Sequence, residues 1–416
     1  MNKTSIRSVG ILLLVVGMNS LDVSSLRLSA QEPAVKVPFS LADFPGLESE
    51  CLAALESPDK IPTVLERIES KYEKDRQPEA IRMLAAILRG SDMGMGSGWF
   101  GSPKLKRDWN WLAAEQKVEV DGSLKKDDFQ GEPMFFDRLD RNGDGVLRSD
   151  DFNWGPTSQF MREQGVANVI FRTIDKSRDA KVSKEELLAF FDKARGDNAE
   201  LGIDAFRRSF GLASSGSGYF PGDEPTPERL IRGFFLSELG SLQEGPSLGE
   251  AAPDFELSTQ DGSKKIRLKD YLGKKPVVLV FGNFTCGPFR RTYPEFDEIG
   301  QRYKDRATFF GVYVREAHPD DGWNMESNVK SGVKLMQPKN FDERTAVAKT
   351  CAAQLKYSMP LLVDTMDDRV GNLYSGMPAR AYVIDADGKV AYQGGRGPFG
   401  FRPGEMEQAL IMTLLK

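Results

Sequence analysis

Histidine occurs once in this 416-residue chain, as His318, and cysteine three times, as Cys51, Cys286 and Cys351. Any imidazole chemistry therefore belongs to that one residue. Three thiols are too few for a disulfide scaffold, and none stands in C-x-x-C metal spacing. At most one disulfide can form, which leaves one thiol over. A basic surplus is also missing. The 56 Lys and Arg face 61 Asp and Glu, a net charge of −5, which argues against nucleic acid as a partner. No dinucleotide fingerprint is present, so no flavin or nicotinamide is implied. Long apolar runs are scarce: residues 9–18 fall short of the roughly 20 needed to span a bilayer, and no other stretch reaches that length.

What is present is an ordinary globular composition, 40% hydrophobic and 28% charged. The length suggests two to four domains at roughly 100–200 residues each. Lys3 and Arg7, the apolar run 9–18 and Leu28-Ser29-Ala30 before Gln31 form the pattern of a cleaved export signal over 1–30. The expectation is an exported protein, periplasmic or extracellular, with no membrane attachment after cleavage; an uncleaved anchor is the alternative. Apolar residues at helical spacing (Ile61, Val64, Leu65, Ile68, then Ile81, Leu84, Ile87, Leu88) predict helices within 38–115. Residues 90–103 read as a Gly-, Ser- and Met-rich loop. Trp109 and Trp111 read as packing residues. Residues 213–228 read as a linker by composition.

Between these lies a pair of loops with EF-hand spacing inside 116–200. In the first, Asp140, Asn142, Asp144 and Asp151 place oxygens at positions 1, 3, 5 and 12, Val146 offers a carbonyl at position 7, and Gly145 makes the turn. In the second, Asp175, Ser177, Asp179, Lys181 (by its carbonyl) and Glu186 play the same parts, with Ala180 in place of the glycine. The expectation is Ca²⁺, with Mg²⁺ possible at the first site because Asp151 is shorter than glutamate. Leu147, at position 8, is expected to join a small sheet between the two loops. Residues 117–128 look like a decayed third copy, with Lys117 where the first ligand should be.

From 248 onward strand-like runs (277–281, 307–314, 361–363, 380–384, 390–392) alternate with helical ones (290–303, 342–355, 404–415), which implies a mostly parallel or mixed sheet with helices on both faces. Cys286 lies where the first run gives way to a helix. Unpaired N–H groups and the helix dipole favour an anion there, so the sequence predicts an ionised, nucleophilic thiol.

The C-G-P-F at Cys286 resembles the thioredoxin C-G-P-C with Phe289 in place of the second cysteine. Residues 248–275 resemble the opening of thioredoxin-fold proteins, and Met377-Pro378 sits where they place a cis-proline. The strings FGNFTCGPF (281–289), REAHPDDGW (315–323), LVDTMDD (362–368), YVI (382–384) and YQGGRGP (392–398), in that order, resemble the iodothyronine deiodinase family. The resemblance covers about 277–400. It implies that Cys286 stands where the family has selenocysteine and His318 where it has its catalytic histidine. Phe284, Pro338 and Pro378 depart from the family's cysteine, second histidine and aromatic.

The reading is a multidomain chain: a signal at 1–30, a helical region at 38–115, an EF-hand pair at 116–200, a linker at 213–228 and an α/β thioredoxin-like domain at 246–416. Its function is that of an exported calcium-binding thiol oxidoreductase. Cys286 attacks the halogen of a small molecule or another soft electrophile, and His318 donates or accepts the proton. Arg396 holds an anionic substrate or the thiolate, or is a turn residue. Glu316, Asp320 and Trp323 shape the loop that aims His318. An external thiol reductant acts as electron donor, with Cys351 or Cys51 as candidate resolving thiols. Two alternatives remain: a peroxiredoxin-like thiol peroxidase, and a non-enzymatic calcium-binding protein whose thioredoxin fold is a docking module.

Overall fold

The computed structural model describes residues 39–416 apart from 75, 92–102, 156–157, 178, 180 and 211–222. The export signal at 1–30, most of the 90–103 loop, most of the 213–228 linker and Ala180 lie outside the described residues.

The first helices are α1 (Leu47–Glu56), α2 (Ile61–Glu69) and α3 (Glu79–Leu88). In α3 nearly every apolar residue is buried, because the helix sits inside a small core of its own. Strand β1 (Lys104–Leu105), helix α4 (Trp109–Glu115), strand β2 (Leu124–Lys125), helix α5 (Pro133–Leu139) and strand β3 (Val146–Leu147) follow. Next come α6 (Gln159–Ile174), α7 (Lys184–Arg195), α8 (Ile203–Ser209) and α9 (Pro227–Phe235). Caps fix several of these ends: Asp108 accepts from the Trp111 N–H, Thr226 from the Arg229 N–H, and Ser183 and Glu186 form a capping box.

The C-terminal half runs β4 (Glu256–Thr259), β5 (Lys265–Arg267), β6 (Val277–Gly282), α10 (Gly287–Tyr303), β7 (Thr308–Tyr313), α11 (Glu326–Lys330), α12 (Phe341–Gln354), β8 (Leu361–Val363), α13 (Arg369–Leu373), β9 (Arg380–Ile384), β10 (Val390–Gln393) and α14 (Pro403–Leu414). The sheet of the described residues has the order β1-β10-β9-β6-β7-β8-β4-β5. β6 is parallel to β7 and antiparallel to β9, and β9 is antiparallel to β10. That 4-3-1-2 arrangement around a central β–α–β unit is the thioredoxin-like order. All six residues of β6 are buried, as a central strand covered on both faces requires. Each such side chain contributes about 1.5–3 kcal/mol by leaving water. Helix α14 packs on β9 and β10 and against α10, while α12 packs on β8.

Residues 36–416 form one compact unit. β1 completes the main sheet beside β10. Trp109, Phe135, Phe136 and Leu147 share a core with β6 and α14. Glu407 on α14 accepts from Arg138, Arg302 and Tyr303 at once, and Gln408 donates to the carbonyl of Asp151 over 3.0 Å. A second core joins α1, α2, α3 and α9 to Trp323 and Met325. The N-terminal helices therefore pack on the loop that carries the single histidine.

The expected pairing of the two EF-hand-like loops is corrected. β3 pairs with β2, in register Leu124↔Leu147, so the 140–151 loop pairs with the decayed 117–128 copy and not with the 175–186 loop.

Candidate active site

Strand β6 ends at Gly282, and a side chain there would collide with Phe289, since a Cβ would lie 2.1 Å from its ring. Phe289, in the place of the missing second cysteine, is thus a wall of the site. The turn that follows is organised by Asn283. Its Oδ1 accepts from the N–H of Cys286 (3.0 Å) and the N–H of Ala317 (3.2 Å), and lies 3.2 Å from the hydroxyl oxygen of Thr285. Its amide donates to the carbonyl of Pro378 over 3.0 Å, beside the cis Met377–Pro378 bond. One fully buried side chain thereby ties together the thiol turn, the histidine loop and the cis-proline loop.

Cys286 is the N-cap of α10, as the sequence predicts, but it is only 2% exposed. Burial pushes its thiol up to about 11, against the pull of the Phe289 N–H, Arg290 and Arg291. Desolvation thus works against the helix N-terminus that the sequence places beside the sulfur. Cys51 and Cys351 are likewise buried free thiols, and burial pushes both up.

His318 is half-buried, and its Nδ1 lies 3.0 Å from the carbonyl of Trp323. A carbonyl only accepts, so Nδ1 carries the hydrogen and Nε2 keeps its lone pair. Burial lowers the imidazole to about 4. The Trp323 indole stands edge-on to the ring, with centroids 5.1 Å apart. The backbone N–H of His318 donates to Oγ1 of Thr285 over 3.0 Å, and that hydroxyl donates to Oε2 of Glu316 over 2.7 Å. Glu316 also accepts from the Thr285 N–H (2.8 Å) and from the hydroxyl of Tyr313. It is 1% exposed and burial raises its pKa. Arg290 acts electrostatically on both Cys286 and His318 and donates to Asn328, whose amide holds the Thr285 carbonyl at 2.8 Å. The backbone N–H groups of Cys286 and His318 and the buried carboxyl of Glu316 thus share one network through Asn283 and Thr285.

Asn283, Thr285, Tyr313 and Asn328 escaped the sequence reading. Only the position of Thr285 and Asn283 beside Cys286 signalled them; Tyr313 looked like one more apolar strand residue. Asp320, expected to shape the histidine loop, does so through its backbone, which donates to the Leu335 carbonyl over 2.7 Å.

Arg396 is placed elsewhere than expected. It is 1% exposed, donates to Ser375 Oγ over 2.9 Å and pairs with Glu79 of α3 at 3.5 Å. Arg380 shares the same carboxylate at 3.8 Å. Its guanidinium joins the glycine loop to the N-terminal helices, so the substrate and thiolate roles are withdrawn.

In the 140–151 loop, Asp140 accepts from Gly143, Asp144 and Gly145, and Asn142 accepts from Asp144. The carboxylate of Asp144 is bound by the Val146 N–H and by Arg148 at 2.6 Å. Asp151 accepts from the N–H groups of Arg141 and Arg148. In the second loop, Glu186 accepts from Lys176, Ser177 and Ser183, Ser177 donates to Asp175, and Asp179 accepts from the Lys181 N–H. The oxygen sets suit a hard cation in kind. Among the described residues no group of three His, Cys, Asp or Glu side chains is gathered as a metal site.

The family model of iodothyronine deiodinases matches residues 230–412. The thyroxine 5-deiodinase of Gallus gallus is 36% identical over 208 residues, covering 47% of this chain and 77% of the relative. That of Sparus aurata is 34% identical over 183 residues, covering 43% and 66%. A solved thiol:disulfide interchange protein of the thioredoxin family from Chlorobium tepidum aligns with 41% of this chain and 99% of its own, at 20% identity and a TM-score of 0.29. The fold assignment rests on the strand order and not on that alignment.

Proposed function

The chain belongs to the iodothyronine deiodinase family, and on that footing we propose that it is a thiol-dependent reductive dehalogenase acting on small iodinated aromatics. The reading is carried by the network that runs from the Cys286 turn through Thr285 to His318 and Glu316.

Burial holds the proton on Cys286 and off His318 in the closed form, so turnover begins with an opening that admits substrate and lets both groups relax toward their ordinary values. Nε2 of His318 then takes the thiol proton. The sulfur bonds to iodine as the carbon–iodine bond breaks, and the carbon takes the proton from Nε2. The arene is reduced and Cys286 becomes a sulfenyl iodide. An external thiol displaces iodide and a proton, giving a mixed disulfide, and a second thiol frees Cys286. One iodoarene and two thiols thus become one arene, one disulfide and hydrogen iodide. Glu316, through Thr285 and the His318 N–H, keeps the imidazole loop in register.

Iodide release from an iodothyronine with dithiothreitol tests this. It is expected to vanish in Cys286→Ser and to fall at least 100-fold in His318→Ala, the range of general acid–base catalysis. Release that survives Cys286→Ser sinks the reading. Peroxide consumption with sulfenate trapping at Cys286 tests the peroxidase alternative.

Export rests on the basic-then-apolar 1–30 segment, and a mature N-terminus at Gln31 in secreted protein tests it. Calcium rests on the donor spacing of the two loops and requires Arg148 to leave Asp144.

A further inference from the structure

The histidine loop runs from the end of β7 to the start of α11, and side chains from outside it hold it at both ends. Near its beginning, Thr285 accepts from the His318 N–H over 3.0 Å. At its far end the holder is Asp223, which stands 103 residues before Glu326 in the chain. The Asp223 carboxylate accepts from the N–H of Glu326 over 2.6 Å and from the N–H of Ser327 over 3.3 Å. The loop does not supply that acceptor itself, because Met325 stands in the capping place and its side chain makes no cap. Asp223 is only 4% exposed. A carboxylate is costly to bury unless it is hydrogen-bonded, so these two bonds determine where it sits.

Trp323 lies between the two anchors and gives the imidazole its partner, the carbonyl 3.0 Å from Nδ1. The indole packs in the second core. Gly322 and Asn324 on either side of it are exposed and border a cavity of about 440 Å³, lined also by Asp223 and Arg229. Arg229 reaches over the indole, 5.4 Å from its centroid, and pairs with Glu238 at 2.7 Å. With open space on that flank, the backbone of the loop is held mainly from its ends. Burial is the main influence on the His318 imidazole, but Asp223 is near enough to act on it too, raising its pKa while Arg290 and Arg229 lower it. Asp223 lies outside 230–412, the residues that match the deiodinase family.

We propose that Asp223 is a positioning residue: by holding Glu326 and Ser327 it fixes the far end of the loop, and thereby the Trp323 carbonyl that orients His318. A misplacement of about 1 Å in a catalytic group can cost about 100-fold in rate, so a lost anchor shows in turnover. The inference rests on the dehalogenase reading for its kinetic test only.

Two substitutions in the full chain separate the anchor from its charge. Asp223→Ala removes both, whereas Asp223→Asn removes the charge and keeps an acceptor oxygen. With one histidine in the chain, the imidazole proton resonances are read without assignment. At neutral pH, well above the pKa of the imidazole, they are expected to shift or broaden in Asp223→Ala and to keep their wild-type positions in Asp223→Asn. The kcat of iodide release is expected to fall about 10- to 100-fold in Asp223→Ala with KM nearly unchanged, and to stay within about threefold of wild type in Asp223→Asn. In the unsubstituted chain the amides of Glu326 and Ser327 are expected to be protected from hydrogen exchange, a measurement that stands even if Asp223→Ala does not fold. Imidazole signals indifferent to Asp223→Ala, an Asp223→Asn variant no better than Asp223→Ala, or unprotected amides at 326 and 327 would overturn the inference. If the unsubstituted chain releases no iodide, the dehalogenase reading falls, and the imidazole signals still decide this one.

Discussion

His318 is anchored to Thr285, the residue beside Cys286: the histidine N–H donates to the threonine hydroxyl over 3.0 Å. The thiol turn follows β6 and the imidazole loop follows β7, at the carboxyl ends of two paired parallel strands, and this hydroxyl fastens one to the other. Replacing Thr285 by Val removes the acceptor for His318 and one donor to buried Glu316. We expect stability to fall by about 1–3 kcal/mol, as for an unsatisfied buried group, and iodide release to fall with it. Thr285→Ser keeps the hydroxyl and is expected to restore most of both. Urea denaturation together with release rates distinguishes the two variants, and a Val variant as active as wild type removes the link from the mechanism.

The single histidine makes its titration readable without assignment. Its imidazole proton resonance should report a midpoint near 4 in the folded protein, since burial lowers it. A folded pKa below the unfolded value of 6.5 means that stability present above 6.5 is lost as pH falls through about 4. His318→Gln should flatten that part of the stability–pH curve. A midpoint at 6.5 would show a ring open to water.

The thiol behaves oppositely. Burial raises Cys286 from 9.0 to about 11, so its contribution is full below 9 and lost as pH climbs through 11. Alkylation by iodoacetamide should be slow at neutrality and rise over that upper range, in contrast to an activated thiol near pH 7. Fast labelling at neutral pH would mean that the open form dominates in solution.

Glu79 holds two buried guanidinium groups, Arg380 and Arg396. Burial alone would raise its pKa, and the two arginines pull it below the usual carboxylate value instead. Glu79→Ala leaves both cations buried without that partner, which costs about 3–5 kcal/mol. Denaturant midpoints check it. A change under about 1 kcal/mol would show that water reaches the pair.

In the 140–151 loop Arg148 competes with any cation for Asp144. Calorimetric titration of Arg148→Ala should show calcium binding several-fold tighter than in wild type. Equal affinities would mean that Asp144 is not a ligand.

Local order carries its own signature. The run 277–281 is apolar along its length and rich in valine, so it reads as a buried strand with no knowledge of its neighbours, and β8 and β9 are found at their expected bounds. Cys286 at the mouth of α10 follows from a strand ending before Gly-Pro. Strands β4 and β5 are short and alternate buried with more exposed residues at one side of the sheet, and they escaped notice. So did β1, two residues long, which exists only because β10 offers an edge.

The amino-acid sequence by itself determined the order of strands and helices, the family strings and the oxygen-bearing loops, because periodicity and spacing are properties of neighbours along the chain. Only the tertiary structure decided the burial of Cys286, the pairing of Arg396 with Glu79 and the pairing of Leu147 with Leu124. Desolvation and ion pairing depend on what residues far away in sequence bring up against a group, and no local pattern records that.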